Sequence, residues 1–146
     1  DAKNECTTLP KLNIIGDGDE YNNIKIWIKE NNLENDIALL GKIFDENILS
    51  SYFSRALACI SPGQAGLSVL KSMGYGVPFI TTENAVTGGE IFNIENNVSG
   101  VLYKHDSELK DIIVDIVNDS PKYLKMGTEA KNYYDKYPLF ADYQMT

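Results

Sequence analysis

The sequence predicts an α/β fold, an open parallel sheet with helices on both faces, and three observations carry that expectation. Short, largely apolar runs at 12–15, 37–40, 56–60, 78–81 and 98–103 alternate with amphipathic stretches. Strands that are apolar throughout belong to a sheet covered on both sides, whereas a sheet with one wet face alternates polar and apolar residues. Most of the eleven glycines fall just after those runs, where a sheet of this kind builds its ligand loops.

Residues 1–10 have no periodicity and end in Pro10, so they read as a disordered or irregular lead-in, with 11–146 as a single domain. The first strand, 12–15, runs into Gly16-Asp17-Gly18. Asp19 then stands where it can cap a helix whose Tyr21, Ile24, Trp27 and Ile28 share one face, and Asn31-Asn32 ends it. The second strand, 37–40, stops at Gly41, and Asp45 caps a short helix carrying Ile48, Leu49, Tyr52 and Phe53. The third strand, 56–60, feeds the loop 61–66, a helix at 67–75 closed by Gly74 and Gly76, and a fourth strand at 78–81. A polar loop follows, then a helical turn from Glu90 and a fifth strand at 98–103. Asp106 or Ser107 caps a helix with Leu109, Ile112, Ile113, Ile116 and Val117 inward. Ser120 at the cap and Pro121 in the first turn open the last helix, which Pro138 stops.

Composition narrows the function classes. A chain of 146 residues supports one core, and a domain of that size buries roughly 70% of the surface its unfolded chain exposes. No apolar run approaches the ~18 residues of a membrane span, and no secretory pattern opens the chain. The expectation is a cytoplasmic protein, with peripheral contact at the inner face of a membrane made only through a part outside this chain. A net charge of −8 with Arg55 as the sole arginine excludes a nucleic-acid binder, which needs clustered cations to displace counterions. Cys6 and Cys59 read as free thiols, and with a single histidine no structural zinc site is expected.

Four loops at the carboxyl ends of the strands are therefore the candidate site. The segment 61–68, with Gly63 and Gly66, leaves the N–H groups around Gln64, Ala65, Leu67 and Ser68 open, and the following helix aims its positive end at the same point. Two readings stand for it: a phosphate cradle, or a tight turn between strand and helix. Lys71 lies about one turn into the helix, either as a ribose or phosphate ligand or as a solvated lysine. Gly16 and Gly18 match only the start of a dinucleotide fingerprint, because Tyr21 occupies the third glycine position. Lys42 after the second strand and Glu83 and Asn84 after the fourth offer a cation and sugar hydrogen bonds. Glu90 suits a helix start whatever the function. A phospho-accepting receiver domain is set aside, since Ile60-Ser61-Pro62 stands where its aspartate would be.

Taken in order, IIGDGDEY (14–21), ALLGKI (38–43), the run 58–81 and GGEIFNIENNVSGVLY (88–103) resemble the C-terminal, donor-binding domain of group 1 (family 4) glycosyltransferases. The resemblance covers about residues 11–137. It implies a Rossmann-like domain, one of two that face each other in the GT-B architecture, with the acceptor-binding half absent. It implies transfer of a sugar, with retention and without a metal or other cofactor, from a nucleotide diphosphate sugar to a carbohydrate or lipid-linked acceptor, as in bacterial surface polysaccharide synthesis. The diphosphate would lie at the Gly66-Leu67 helix start, and the Gly76-x-Pro78 turn and Glu90 also match.

Two departures are plain. Where the family usually has two glutamates eight positions apart, the first for the transferred sugar and the second for the ribose, this chain has Gly63 and Lys71. The strand and basic pair that usually open the domain do not precede Leu12. The expected site is thus Gly16, Gly18, Lys42, 63–68, Lys71, Glu83 and Asn84, with no assigned catalytic residue. A non-catalytic nucleotide-binding or interaction module is the alternative. A third reading, a related GT-B sugar-nucleotide epimerase, would need carboxylate and histidine acid/base groups that these loops do not offer.

Overall fold

The computed structural model describes residues 9–137, so all but the last two residues of the lead-in expected at 1–10, and the stop expected at Pro138, lie outside the described residues. The elements follow the expected order: β1 (Leu12–Ile15), α1 (Tyr21–Glu30), β2 (Ile37–Gly41), α2 (Glu46–Phe53), β3 (Cys59–Ile60), α3 (Leu67–Gly74), β4 (Phe79–Thr82), a 3-10 turn (Glu90–Asn93), β5 (Gly100–Tyr103), α4 (Glu108–Asn118) and α5 (Ser120–Asp135). All strand pairs are parallel. They form two ladders rather than the one sheet expected, β1 with β2 and β3-β4-β5.

At the break, each ladder ends on a backbone edge. Leu12 and Gly16 donate their N–H groups to Asp36 and Gly41 on the β2 side. Successive residues of a strand turn their polar groups to opposite edges, so Asn13 and Ile15 face away from β2. Likewise Cys59 and Ser61 donate to Pro78 and Ile80, which leaves Ile60 facing away from β4. Among the described residues no strand meets either edge.

Several caps differ from the sequence expectation by a residue. Glu20, not Asp19, precedes α1, without a side-chain cap. Asp45 caps α2 as expected, its carboxylate accepting the N–H groups of Asn47 and Ile48. Ser107 precedes α4 but caps nothing; Glu108 instead folds back and accepts the N–H groups of Lys104 and His105 at 2.9 and 2.7 Å. Those two bonds, His105 first, hold its carboxyl below the ordinary range. Asp119 rather than Ser120 caps α5, because its carboxylate reaches the N–H of Lys122 while Ser120 is already helical.

The core lies on both faces of β4, which settles the two-sided covering. Phe79 packs with Val69, Met73 and Ala130 on one face. Ile80 packs with Val101, Ile116 and Met126 on the other. Among the described residues before Ala65, Ile28 alone is buried. Trp27, expected inward, is 53% exposed, because the β1–β2 half has no second layer over that side of α1 among the described residues.

Two glycines are dictated by close approach. A Cβ on Gly127 of α5 would lie 2.0 Å from the Gly76 carbonyl oxygen, and one on Gly100 would lie 2.4 Å from that of Phe79. Gly76 itself ends the helix with φ +70, and the buried Ser72 hydroxyl donates to the Val77 carbonyl at 2.7 Å across the same turn. Gly127→Ala is expected to cost about 1–3 kcal/mol through overpacking, read from urea denaturation. Gly18→Ala, whose added Cβ meets nothing within 4 Å, should stay within about 0.5 kcal/mol.

Candidate functional site

The loop 61–66 is held from one side by the segment after β4. The Thr81 and Thr82 hydroxyls donate to the Ser61 and Pro62 carbonyls at 2.7 and 3.0 Å, and the Thr87 hydroxyl donates to that of Ala65 at 2.6 Å. Gly63 and Ala65 pair with Val86, the Val86 N–H donating to the Gly63 carbonyl and the Ala65 N–H to that of Val86. Five hydrogen bonds thus tie the segment down from that side.

What they leave open is the rim of α3. Gly66 precedes the helix with no side-chain cap, and the N–H groups of Gly66, Leu67 and Ser68 have no partner among the described residues. An added Cβ at Gly63 or Gly66 would meet nothing within 4 Å. Free N–H donors, the positive helix end and empty space above a glycine backbone are together the requirements for an oxyanion or phosphate. Gly63, Gln64, Leu67 and Ser68 are exposed around this opening. Ala65 differs: it is fully buried in the core and its N–H is taken by Val86, so it supports the loop from beneath.

The remaining expected residues sit in neighbouring loops. Gly16 donates its N–H to the Gly41 carbonyl at 2.8 Å, which joins the loops after β1 and β2. Gly18 and Lys42 are exposed there. Glu83 and Asn84 are exposed after β4, with the Glu83 N–H on the Tyr103 carbonyl. Glu90 closes its own turn, its carboxylate accepting the Gly88 N–H at 2.9 Å and the Thr87 hydroxyl at 3.2 Å. Lys71 is occupied: its ammonium donates to the Glu46 carboxylate at 2.8 Å. Sequence reading missed Glu46 and the three threonines. The Thr81-Thr82 pair at the end of an apolar strand was the visible signal for the latter; nothing local marks Glu46, whose partner is 25 residues away.

The sequence model of the family described as "Glycosyl transferases group 1" matches residues 7–133. The chain belongs to the group 1 glycosyl transferases. Among curated proteins no sequence matches it. Solved structures share the domain's fold. Anabaena HepE in complex with UDP-glucose is similar at 20% identity and a TM-score of 0.73, over 99% of this chain and 43% of that one. Sucrose-phosphate synthase from Thermosynechococcus elongatus is similar at 22% identity and a TM-score of 0.75, over 98% and 38%. An S. aureus TarM mutant in complex with fondaparinux, alpha-GlcNAc-glycerol and UDP is similar at 20% identity and a TM-score of 0.74, over 92% and 28%. The group 1 domain therefore spans less than half the length of these chains. No helix among its described residues is long and apolar enough to cross a membrane.

Cys59 lies on β3 just before the loop 61–66, as a free thiol, and burial pushes it up to about 11 against the opposing hydrogen bond with Ser72. The reactive species is the thiolate, so the thiol should be inert near neutrality. In a Cys6→Ser background, iodoacetamide at pH 8 should alkylate Cys59 roughly a hundredfold more slowly than a small-molecule thiol of pKa near 9, with the rate climbing as pH nears 11. Labelling at the free-thiol rate in the folded chain would refute the burial.

Proposed function

We propose that this chain is the donor-binding part of a glycosyltransferase that moves a sugar from a nucleotide diphosphate sugar to a carbohydrate or lipid-linked acceptor, in bacterial surface polysaccharide synthesis. The observation that carries the reading is the start of α3: three N–H groups without a partner among the described residues, beside glycines at 63 and 66 whose added Cβ would meet nothing within 4 Å. A diphosphate placed there is bound in the ground state and held more strongly as charge develops on its leaving oxygen. Catalysis is then mostly positioning, with no general base required from these loops. Membership of the group 1 family supports sugar transfer, and the UDP-glucose and UDP named for HepE and the TarM mutant support the ligand class.

The same reading calls for a second half that brings the acceptor. Phe44, Val86 and Phe92, 86%, 74% and 85% exposed, lie in the segments after β2 and β4, apolar surface of the kind a facing domain covers. The edges of β1 and β3, which no strand meets among the described residues, suit a further parallel strand of the donor domain itself, the one that in this family carries a basic pair. Cytoplasmic placement at the inner face of a membrane follows from the lipid-linked acceptor. One observation favours a module that binds without catalysing: Gly63 offers no side chain to the transferred sugar.

Calorimetry with UDP, GDP and their sugars tests the donor reading. Heat should appear with one nucleotide diphosphate and vanish in Gly66→Val, whose melting temperature stays within about 2 °C of the parent because the added side chain enters open space. Absence of binding at millimolar nucleotide would overturn it. The isolated chain should transfer little or no sugar; robust turnover would contradict the need for a second half.

A further inference from the structure

We infer that Glu46 is the ribose-binding carboxylate of this site and that Lys71 is the residue that stations it. The inference rests on the donor reading above, and four observations on this chain carry it.

Lys71 lies five residues beyond Gly66, about 7 Å along the helix axis, one sugar ring away from a phosphate held at the start of α3. On that face Leu67, Lys71 and Tyr75 follow at intervals of four, so all three point the same way. They point at α2. Tyr75 stacks on Phe53 with ring centroids 5.4 Å apart and shares a hydrogen bond with the Ser50 hydroxyl, while Lys71 grips Glu46 at the other end of α2. Two helices that docked merely through Tyr75 would leave their amino-terminal ends free to part; the Lys71–Glu46 pair closes them beside the phosphate opening.

Exposure and charge then assign the roles. Lys71 is 23% exposed and Glu46 66% exposed, so the ammonium sits under the carboxylate and the carboxylate faces solvent. One carboxylate oxygen takes the lysine, and the other remains open to accept hydroxyl groups. A carboxylate is the group that recognises a ribose, because it accepts from the 2′ and 3′ hydroxyls, which are donors a deoxyribose lacks in part. Glu46 is also the first residue of α2, fixed by the Asp45 cap, and lies two residues after the exposed Phe44 in the loop that follows β2. As a surface ion pair the contact adds little to stability, too little to explain a cation at the centre of a ligand site. As a positioning device for a ligand carboxylate it has a use.

The test compares UDP with 2′-deoxy-UDP, and GDP with 2′-deoxy-GDP, by calorimetry on the 146-residue chain, Glu46→Ala and Lys71→Met. The parent chain should prefer the ribonucleotide roughly tenfold or more, the cost of leaving a charged acceptor without its hydroxyl donor. Glu46→Ala should bring the preference close to one while the deoxynucleotide binds about as before. Lys71→Met, which keeps the carboxylate but releases it, should give an intermediate ratio. A parent chain that binds nucleotides without preferring ribose, or a Glu46→Ala variant that keeps the preference, overturns this assignment and leaves the donor reading standing. Failure of every nucleotide to bind overturns both.

Discussion

Where α3 points is decided at its far end. Gly127 of α5 lies so close to the Gly76 carbonyl that no side chain fits between them, and Pro78 and Val77 follow directly into the buried strand β4. Helix, turn and strand are thereby fixed as one body: the Ser72 hydroxyl closes the turn, Met73 and Val69 fill the space under the helix, and Ala130 of α5 fills the same cluster. A helix that is seated this rigidly at its carboxyl end presents its amino end at a fixed place. The dipole and the free N–H groups of Gly66, Leu67 and Ser68 depend on that seating, because an anion site built from backbone has no flexible side chains with which to adjust.

The loop above α3 is held by a different device for the same purpose. Threonines at 81, 82 and 87 donate to carbonyls of the loop, and Val86 pairs with it through the backbone. Each bond consumes an acceptor or donor on the underside. The donors left over face outward, so satisfying one side of the loop is what makes the other side available. The buried Ala65 is part of this arrangement, a residue whose smallness lets the loop lie on the core. The site is thus the exposed surface of well-packed structure, and the glycines at 63 and 66 keep that surface bare.

Much of this was legible in the sequence because it follows from local pattern. Five apolar runs and their intervening amphipathic stretches gave the elements in order, and the rule that ligands gather at strand carboxyl ends selected the loop that the structure shows open. What was not legible depends on partners distant in the chain. Largely apolar runs say that strands are covered, and say nothing of which strands are neighbours; hence one sheet was expected and two ladders are found. Trp27 has the spacing of an inward residue and is half exposed for want of a layer above it. The shift from Ser120 to Asp119 as the cap of α5 reflects two good capping residues side by side, between which only backbone geometry chooses. Lys71 read as free because its partner, Glu46, is 25 residues earlier and lies on another helix.

The electrostatics of the site follow from that last pair. A nucleotide diphosphate brings concentrated negative charge to a chain of net charge −8. If Lys71 were free it would be the natural counterion; bound to Glu46 it contributes almost no net charge at a distance, since the pair is a dipole whose field falls off quickly. On the proposed donor reading, attraction to the phosphates is left to oriented backbone dipoles, whose effect is confined to the first turn of α3. Confinement of that kind discriminates by position rather than by charge: a phosphate is favoured at the helix start and nowhere along the flank, where the carboxylate of Glu46 repels it. The flank is instead suited to a neutral group rich in hydroxyls. An acidic chain can hold an anionic ligand on these terms, with the charged end and the polar end of the ligand sorted by the helix that separates them.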